Sequence, residues 1–500
     1  MLSIATGHDV GYLTGAVAGG REGYYTGAVN TGEPPGLWYG AGATALGLGG
    51  EVDAELMEAI YSRLLDPRDP AAHNRETWVE AAPLAAGHRA YRSADEVYAG
   101  LLEDNPHAGP ERRAELRALA ERSARQAVSF IDVTFSAPKS VTVLGVAFER
   151  AANDARAGGD ELAAVAWGEH AKAVEDAMLA GARAGLDFLQ DQAGYSRVGH
   201  HGGGAGRWVD AHEFVVAQFL QHDSRDRDPQ LHVHNAILNR VQCSDGTWRA
   251  LDSRAIHTLR GAAGAVAERV MEAHLTQSLG VRFETRPDGR AREVIGVPQA
   301  VMDLFSSRRR AVTGRTAELV SEFRARYGRE PSPAERYYFA QQATLATRAA
   351  KQHAGETRAE QLDRWTAQCR DTITGGLAQV ARDVLARAQH ATPAADWSPR
   401  DVVARALAAV AETKQAWTRS ALMRAISDAL PGNLRAAPPQ VRPLLEGLAD
   451  TALEQAVPVT EAGDIANMPA QELLADGRSP YAAPTGQLFT TEGQLRAEHA

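Results

Sequence analysis

The sequence predicts a mixed α/β fold followed by a mainly helical region, and three observations carry the prediction. Runs rich in β-branched and aromatic residues at 127–135, 213–222 and 230–241 read as strands. The alanine-rich stretch 161–189 and the amphipathic series Leu259, Ala263, Val266, Val270 and Ala273 read as helices. Beyond about Gln352 the pattern becomes alanine and arginine helices, interrupted by "TPAADWSPRD" and "APPQVRP".

Composition bounds the rest. Five hundred residues exceed what one hydrophobic core usually organises, so the chain divides into three expected parts, 1–350, a helical region 351–460 and a linker 461–500. Two cysteines, Cys243 and Cys369, exclude a disulfide scaffold and a four-thiolate zinc site. No apolar run reaches the roughly 20 residues of a membrane span, and no secretion signature opens the chain. The expectation is a cytoplasmic protein without membrane insertion. A balance of 53 basic against 63 acidic residues argues against a nonspecific nucleic-acid coat, so any nucleic-acid contact must be a local groove.

Taken in order, the glycine-rich first sixty residues favour loops and short strands over a long helix. Residues 99–125 are mostly helical with a break at "DNPHAGPE", and the strand "AVSFIDVTF" follows. In "SAPKSVTVLGVAFERAA", Ser136 stands as N-cap with Pro138 in the first turn, which predicts a helix whose free amides suit a phosphate. "GHHGGGAGRW" reads as a hairpin turn between two strands; adjacent His200 and His201 point apart and do not share a metal.

The segment "QHDSRDRDPQLHVHNAILNRV" concentrates His222, His232 and His234 around a short charged loop. Antiparallel pairing of its two strands is expected, with His232 and His234 on one face and His222 able to join them from the neighbouring strand. Three neutral imidazoles form a site for a borderline divalent cation with coordination positions left for substrate. The competing reading is strand histidines with ordinary hydrogen bonds.

"FIDVTFSAPKSVTVL", "DPQLHVHNAILN", "GTWRALD" and "WYGAGATALGLGGEVD" together resemble conjugative relaxases of the MobF class, HUH endonucleases, over roughly residues 1–350. The resemblance implies a two-layer sandwich with a central antiparallel sheet. It further implies metal-dependent, site- and strand-specific nicking of DNA at a plasmid transfer origin, with a 5′-phosphotyrosyl adduct. Partners implied are single-stranded DNA with an adjacent DNA hairpin, accessory relaxosome proteins and a coupling protein. The resemblance carries His222, His232 and His234 over as metal ligands, although the interval 232 − 222 = 10 is one residue shorter than in the best-known members. The ion would be divalent, magnesium or manganese, with zinc, cobalt or nickel as alternatives.

By the same resemblance Tyr12 is the first nucleophile, with Tyr24 or Tyr25 as a second nucleophile or a positioning ring, while Trp38 and Tyr39 are read as packing residues. Asp132, mid-strand between apolar neighbours, is the matching carboxylate, either accepting the phenol proton or orienting an imidazole. Lys139 and Arg225 are candidate DNA contacts. No G-x-x-x-x-G-K-[ST] phosphate loop occurs, and "QLFTTEGQLRAEHA" resembles the approach to a helicase domain, so a relaxase segment is expected. The alternatives are a rolling-circle replication initiator and a DNA-binding scaffold without catalysis.

Overall fold

The computed structural model describes residues 1–8, 34–199, 206–289, 291–347, 356–389, 396–460, 468–469 and 472–498. Tyr12, Tyr24, Tyr25, His200 and His201 lie outside them. Five strands, β1 (Leu2–Gly7), β2 (Leu37–Tyr39), β3 (Phe130–Ser136), β6 (Val216–Asp223) and β7 (Pro229–Leu238), form a sheet in the order β1-β3-β7-β6-β2. Every neighbouring pair in it is antiparallel. Between β3 and β6 the chain makes the hairpin β4 (Tyr195–Val198) and β5 (Arg207–Asp210), where the glycine-rich turn was expected.

One face of the sheet is covered by three long helices, α1 (Lys139–Ala157), α2 (Glu161–Ala193) and α3 (Ser253–Leu279). Alternation decides which residues meet them: Ile131, Val133 and Phe135 of β3, and Leu231, Val233 and Ile237 of β7, are buried in that layer. The opposite face carries a smaller cluster of Phe130, Ala217, Phe219, Ala236 and Leu238 under Trp38, Met57 and Tyr61. Tyr61 donates its hydroxyl to the Ala236 carbonyl at 2.8 Å. A mixed α/β fold with a central antiparallel sheet and a helical C-terminal region is therefore what the chain adopts.

The start of α1 differs from expectation. Ser136 ends β3, and Pro138 takes the N-cap position. The backbone N–H and hydroxyl of Ser140 both donate to Glu293 Oε2, so a carboxylate of the protein occupies the place foreseen for a phosphate.

The three-part division foreseen from composition does not appear as separate cores among the described residues. Trp365 of α4 (Arg358–Cys369) and Leu377 and Val384 of α5 (Gly376–Gln389) belong to the same apolar cluster as the sheet. The segment read as a linker is docked at several points. Phe489 pairs with Trp417 through two backbone hydrogen bonds, and the Pro480 carbonyl accepts from Trp208 N–H at 2.7 Å.

α2 and α3 cross on small residues. A Cβ placed on Gly181 would lie 2.6 Å from the Ala267 carbonyl oxygen, and one on Gly185 would lie 2.6 Å from the Phe135 ring. Helix propensity alone favours Gly181→Ala by about 1 kcal/mol. The clash is with backbone that cannot rotate away, and overpacking of this kind costs roughly 1–3 kcal/mol. Gly181→Ala is accordingly expected to lower the urea midpoint of unfolding; a raised midpoint would show that the helices separate freely.

Candidate metal centre

β7 is paired on both sides, so its side chains line up in rows across the sheet. Ser136, His232 and Gln221 form one row and Thr134, His234 and Phe219 the next. Residues directly opposite in an antiparallel pair share a face, which places His232 and His234 together on the face away from α1 and α2. Their ring centroids are 4.9 Å apart.

Both rings have a partner at Nδ1. His234 Nδ1 donates to Asp132 Oδ2 at 2.9 Å, and the other carboxylate oxygen accepts the Thr134 hydroxyl at 3.1 Å. His232 Nδ1 donates to the Gln230 carbonyl at 2.7 Å. A neutral imidazole protonated at Nδ1 carries its lone pair on Nε2, which is the nitrogen with which such a ring can bind an ion. Asp132 is 2% exposed, and its position in the middle of an apolar strand is explained by these two hydrogen bonds.

His222 does not join them. It follows Gln221 on β6 and so points to the opposite face, among Thr142, Val146, Val174 and Leu231 of the helical layer. Its Nε2 donates to Glu175 Oε1 at 2.8 Å. The expected cage of three histidines is thus two on one face and one on the other. The cause is register: Gln221 pairs with His232 while Asp223 pairs with Pro229, an irregularity that leaves His222 out of the row. Glu149, Glu175 and His222 offer ligand atoms within 4.8 Å of one another, but Arg358 donates its Nε to Glu149 at 2.9 Å and supplies positive charge there already.

Gln221, Glu149 and Glu175 lie beside the histidines and are not among the residues that the sequence singles out. For Gln221 a signal existed, since the short histidine interval means that the residue one place further back is the glutamine. Glu149 and Glu175 stand on two different helices, and only the packing shows that they meet.

Two other candidates lie on either side of the histidine hairpin's loop or at its base. Lys139 Nζ donates to the Pro229 carbonyl at 2.6 Å and to Gln230 Oε1 at 3.0 Å, so its ammonium is engaged with the start of β7. Arg225 sits half-buried in the turn between β6 and β7. Trp38 and Tyr39 pack as expected: Trp38 lies against Tyr61, and Tyr39 donates to Asp187 at 2.8 Å beneath the Arg183 guanidinium.

Burial pulls the Lys139 ammonium from 10.5 down to about 8, with Asp228 and Glu293 acting the other way. Between those values the unfolded chain holds a proton that the folded chain has released, so this group's contribution to stability rises with pH across that window. Below about 8 the folded state bears the cost of a buried charge. Unfolding free energies of wild type and Lys139→Met, measured by denaturant at pH 8 and pH 10, should diverge in favour of wild type at the higher pH. A pH-independent difference would contradict the burial argument.

A family model described as TrwC relaxase matches residues 6–372. The multifunctional conjugation protein TraI of Escherichia coli is 27% identical over 305 residues, covering 59% of this chain and 13% of that relative's length. Two solved structures of the conjugative relaxase TrwC in complex with oriT DNA, one metal-bound and one metal-free, are each 23% identical. Each covers 74% of this chain and 98% of its own, with TM-scores of 0.47 and 0.45 respectively. Since the family model spans well over half the sequence, including the strands that carry Asp132, His232 and His234, the chain belongs to the TrwC relaxase family.

Proposed function

We propose that this chain is a metal-dependent, site- and strand-specific DNA nickase and transesterase acting at a plasmid transfer origin. The observation that supports it above all is the pair His232 and His234, with Asp132 on the second ring, on the central sheet of a relaxase-family chain. The donors fit a divalent cation, because two lone pairs on Nε2 lie on one face with their Nδ1 protons committed elsewhere. Imidazole donors weigh toward manganese, zinc, cobalt or nickel over magnesium. Bound there, the ion would withdraw charge from the scissile phosphate's oxygens.

The chain's own part is positioning and proton handling. Asp132 holds the His234 ring in the tautomer that leaves Nε2 as donor, and the Gln230 carbonyl does the same for His232. Between the two roles considered for Asp132, its engagement with His234 and Thr134 supports the orienting one. In the proposed reaction the phenol oxygen of Tyr12 forms a bond to phosphorus as the bond to the 3′ oxygen breaks. In net, the proton lost by the phenol is the one gained by the departing 3′ oxygen, which leaves as a hydroxyl. Tyr24 or Tyr25 is the second nucleophile or a positioning ring, and Arg225 is the proposed DNA contact. Single-stranded DNA with an adjacent hairpin is the proposed partner, with accessory relaxosome proteins and a coupling protein beyond it.

The test is a suicide assay on single-stranded oligonucleotides that tile the DNA flanking the gene, centred on any inverted repeat there. Wild type with Mn²⁺ should give a covalent protein–DNA adduct, which chelator prevents and Tyr12→Phe abolishes. Adduct retained in Tyr12→Phe but lost in Tyr24→Phe would move the nucleophile. Absence of adduct on the cognate strand would favour the scaffold reading.

Asp132→Asn keeps the side chain's shape but can present a donor where His234 needs an acceptor. A roughly 10–100-fold loss of nicking rate is expected, with an unfolding midpoint close to wild type's. A rate equal to wild type's would remove Asp132 from the site.

A further inference from the structure

The two histidines leave the cation short of protein ligands, and the structure offers one more. Gln221 of β6 stands directly across from His232, so the two share the site face with Cβ atoms roughly 5 Å apart. Gln221 is fully buried, and neither Oε1 nor Nε2 has a hydrogen-bond partner among the described residues. Burying an amide with both polar atoms unpaired is unfavourable, and native structures seldom keep one without a ligand to satisfy it. His222, next along the strand, is committed to Glu175 on the opposite face.

We propose that Gln221, through Oε1, is the third protein ligand of the cation held by His232 and His234, and that His222 is a strut tying β6 to α2. The inference rests on the reading that His232 and His234 hold a divalent ion. Two imidazoles and a neutral amide oxygen leave the ion's full double charge directed at the phosphate. An amide oxygen is a harder donor than imidazole, so this set favours manganese over zinc or nickel more than three imidazoles would.

Calorimetric titration of the full chain with Mn²⁺ and, separately, Zn²⁺ reads this without activity. Gln221→Leu should weaken Mn²⁺ binding by about tenfold or more, the least expected for a lost ligand given what outer-shell losses cost. The same substitution should raise the metal-free thermal midpoint, because it removes the unpaired amide. Gln221→His should tilt the Zn²⁺ to Mn²⁺ affinity ratio toward zinc, and His222→Ala should leave Mn²⁺ affinity unchanged.

Binding lost in His222→Ala but intact in Gln221→Leu would overturn the proposal. If Gln221→Leu does not fold, Gln221→Glu decides: tighter Mn²⁺ binding supports the ligand role and unchanged affinity refutes it. Wild-type protein that binds neither ion, or binding unaffected by joint His232→Ala and His234→Ala substitution, would instead bring down the underlying metal reading, and the ligand assignment with it.

Discussion

Strand β7 is hydrogen-bonded to β3 on one side and β6 on the other, and this double pairing governs the site. Its odd positions Leu231, Val233 and Ile237 are sealed under the helices, so the even positions His232 and His234 must face the other way. A slip of one residue would bury two imidazoles in an apolar layer and expose three aliphatic side chains, each worth roughly 1.5–3 kcal/mol when buried. The site geometry is therefore enforced by the hydrophobic core behind it. Asn235 breaks the apolar pattern on the helical face, and it is accommodated by donating to the Val133 and Val233 carbonyls and accepting from Gln218.

The same alternation explains what could be read from the sequence. His232 and His234 are two residues apart within one strand, so their common face follows from a period of two and needs no tertiary information. Asp132 announced itself as an acidic residue inside "FIDVTF", where only a partner would justify it, although that partner lies 102 residues away on β7. His222 was not legible in this way. Its face relative to His232 depends on how the hairpin aligns its strands, and the irregularity between Gln221 and Asp223 sets that alignment. A trim of the loop would keep the histidine beside the pair, whereas the strands absorb the shorter interval by bringing Gln221 to the row instead.

Polar residues at the start of α1 are ambiguous for another reason. A lysine and a serine at a helix N-terminus suit a phosphate, and they equally suit partners within the protein. Glu293, supplied by a distant short strand, and the Pro229 carbonyl, supplied by β7, decide the matter. The burial of Lys139 then follows from the packing that secures β7, and its lowered proton affinity from that burial.

The helical region beyond residue 356 gains a role from where it touches the histidine hairpin. The Arg227 carbonyl, in the turn between β6 and β7, accepts from Trp365 Nε1 at 2.9 Å and from Arg364 at 3.0 Å. Arg227 itself pairs with Glu356 at 2.7 Å, and Asp228 accepts from the backbone N–H of Ser307 at 2.7 Å. Arg227 adopts a positive φ of 61°, a conformation that costs a non-glycine residue of the order of 1 kcal/mol and persists only where surroundings enforce it. The anchors come from two helices, Ser307–Tyr327 and α4, and from Glu356 just before α4. A turn held this firmly keeps the two strands in one register, and register is what separates a glutamine facing the imidazoles from a histidine facing them. Among the described residues the C-terminal helices thus reach the candidate metal centre through the backbone of the loop that aligns its strands.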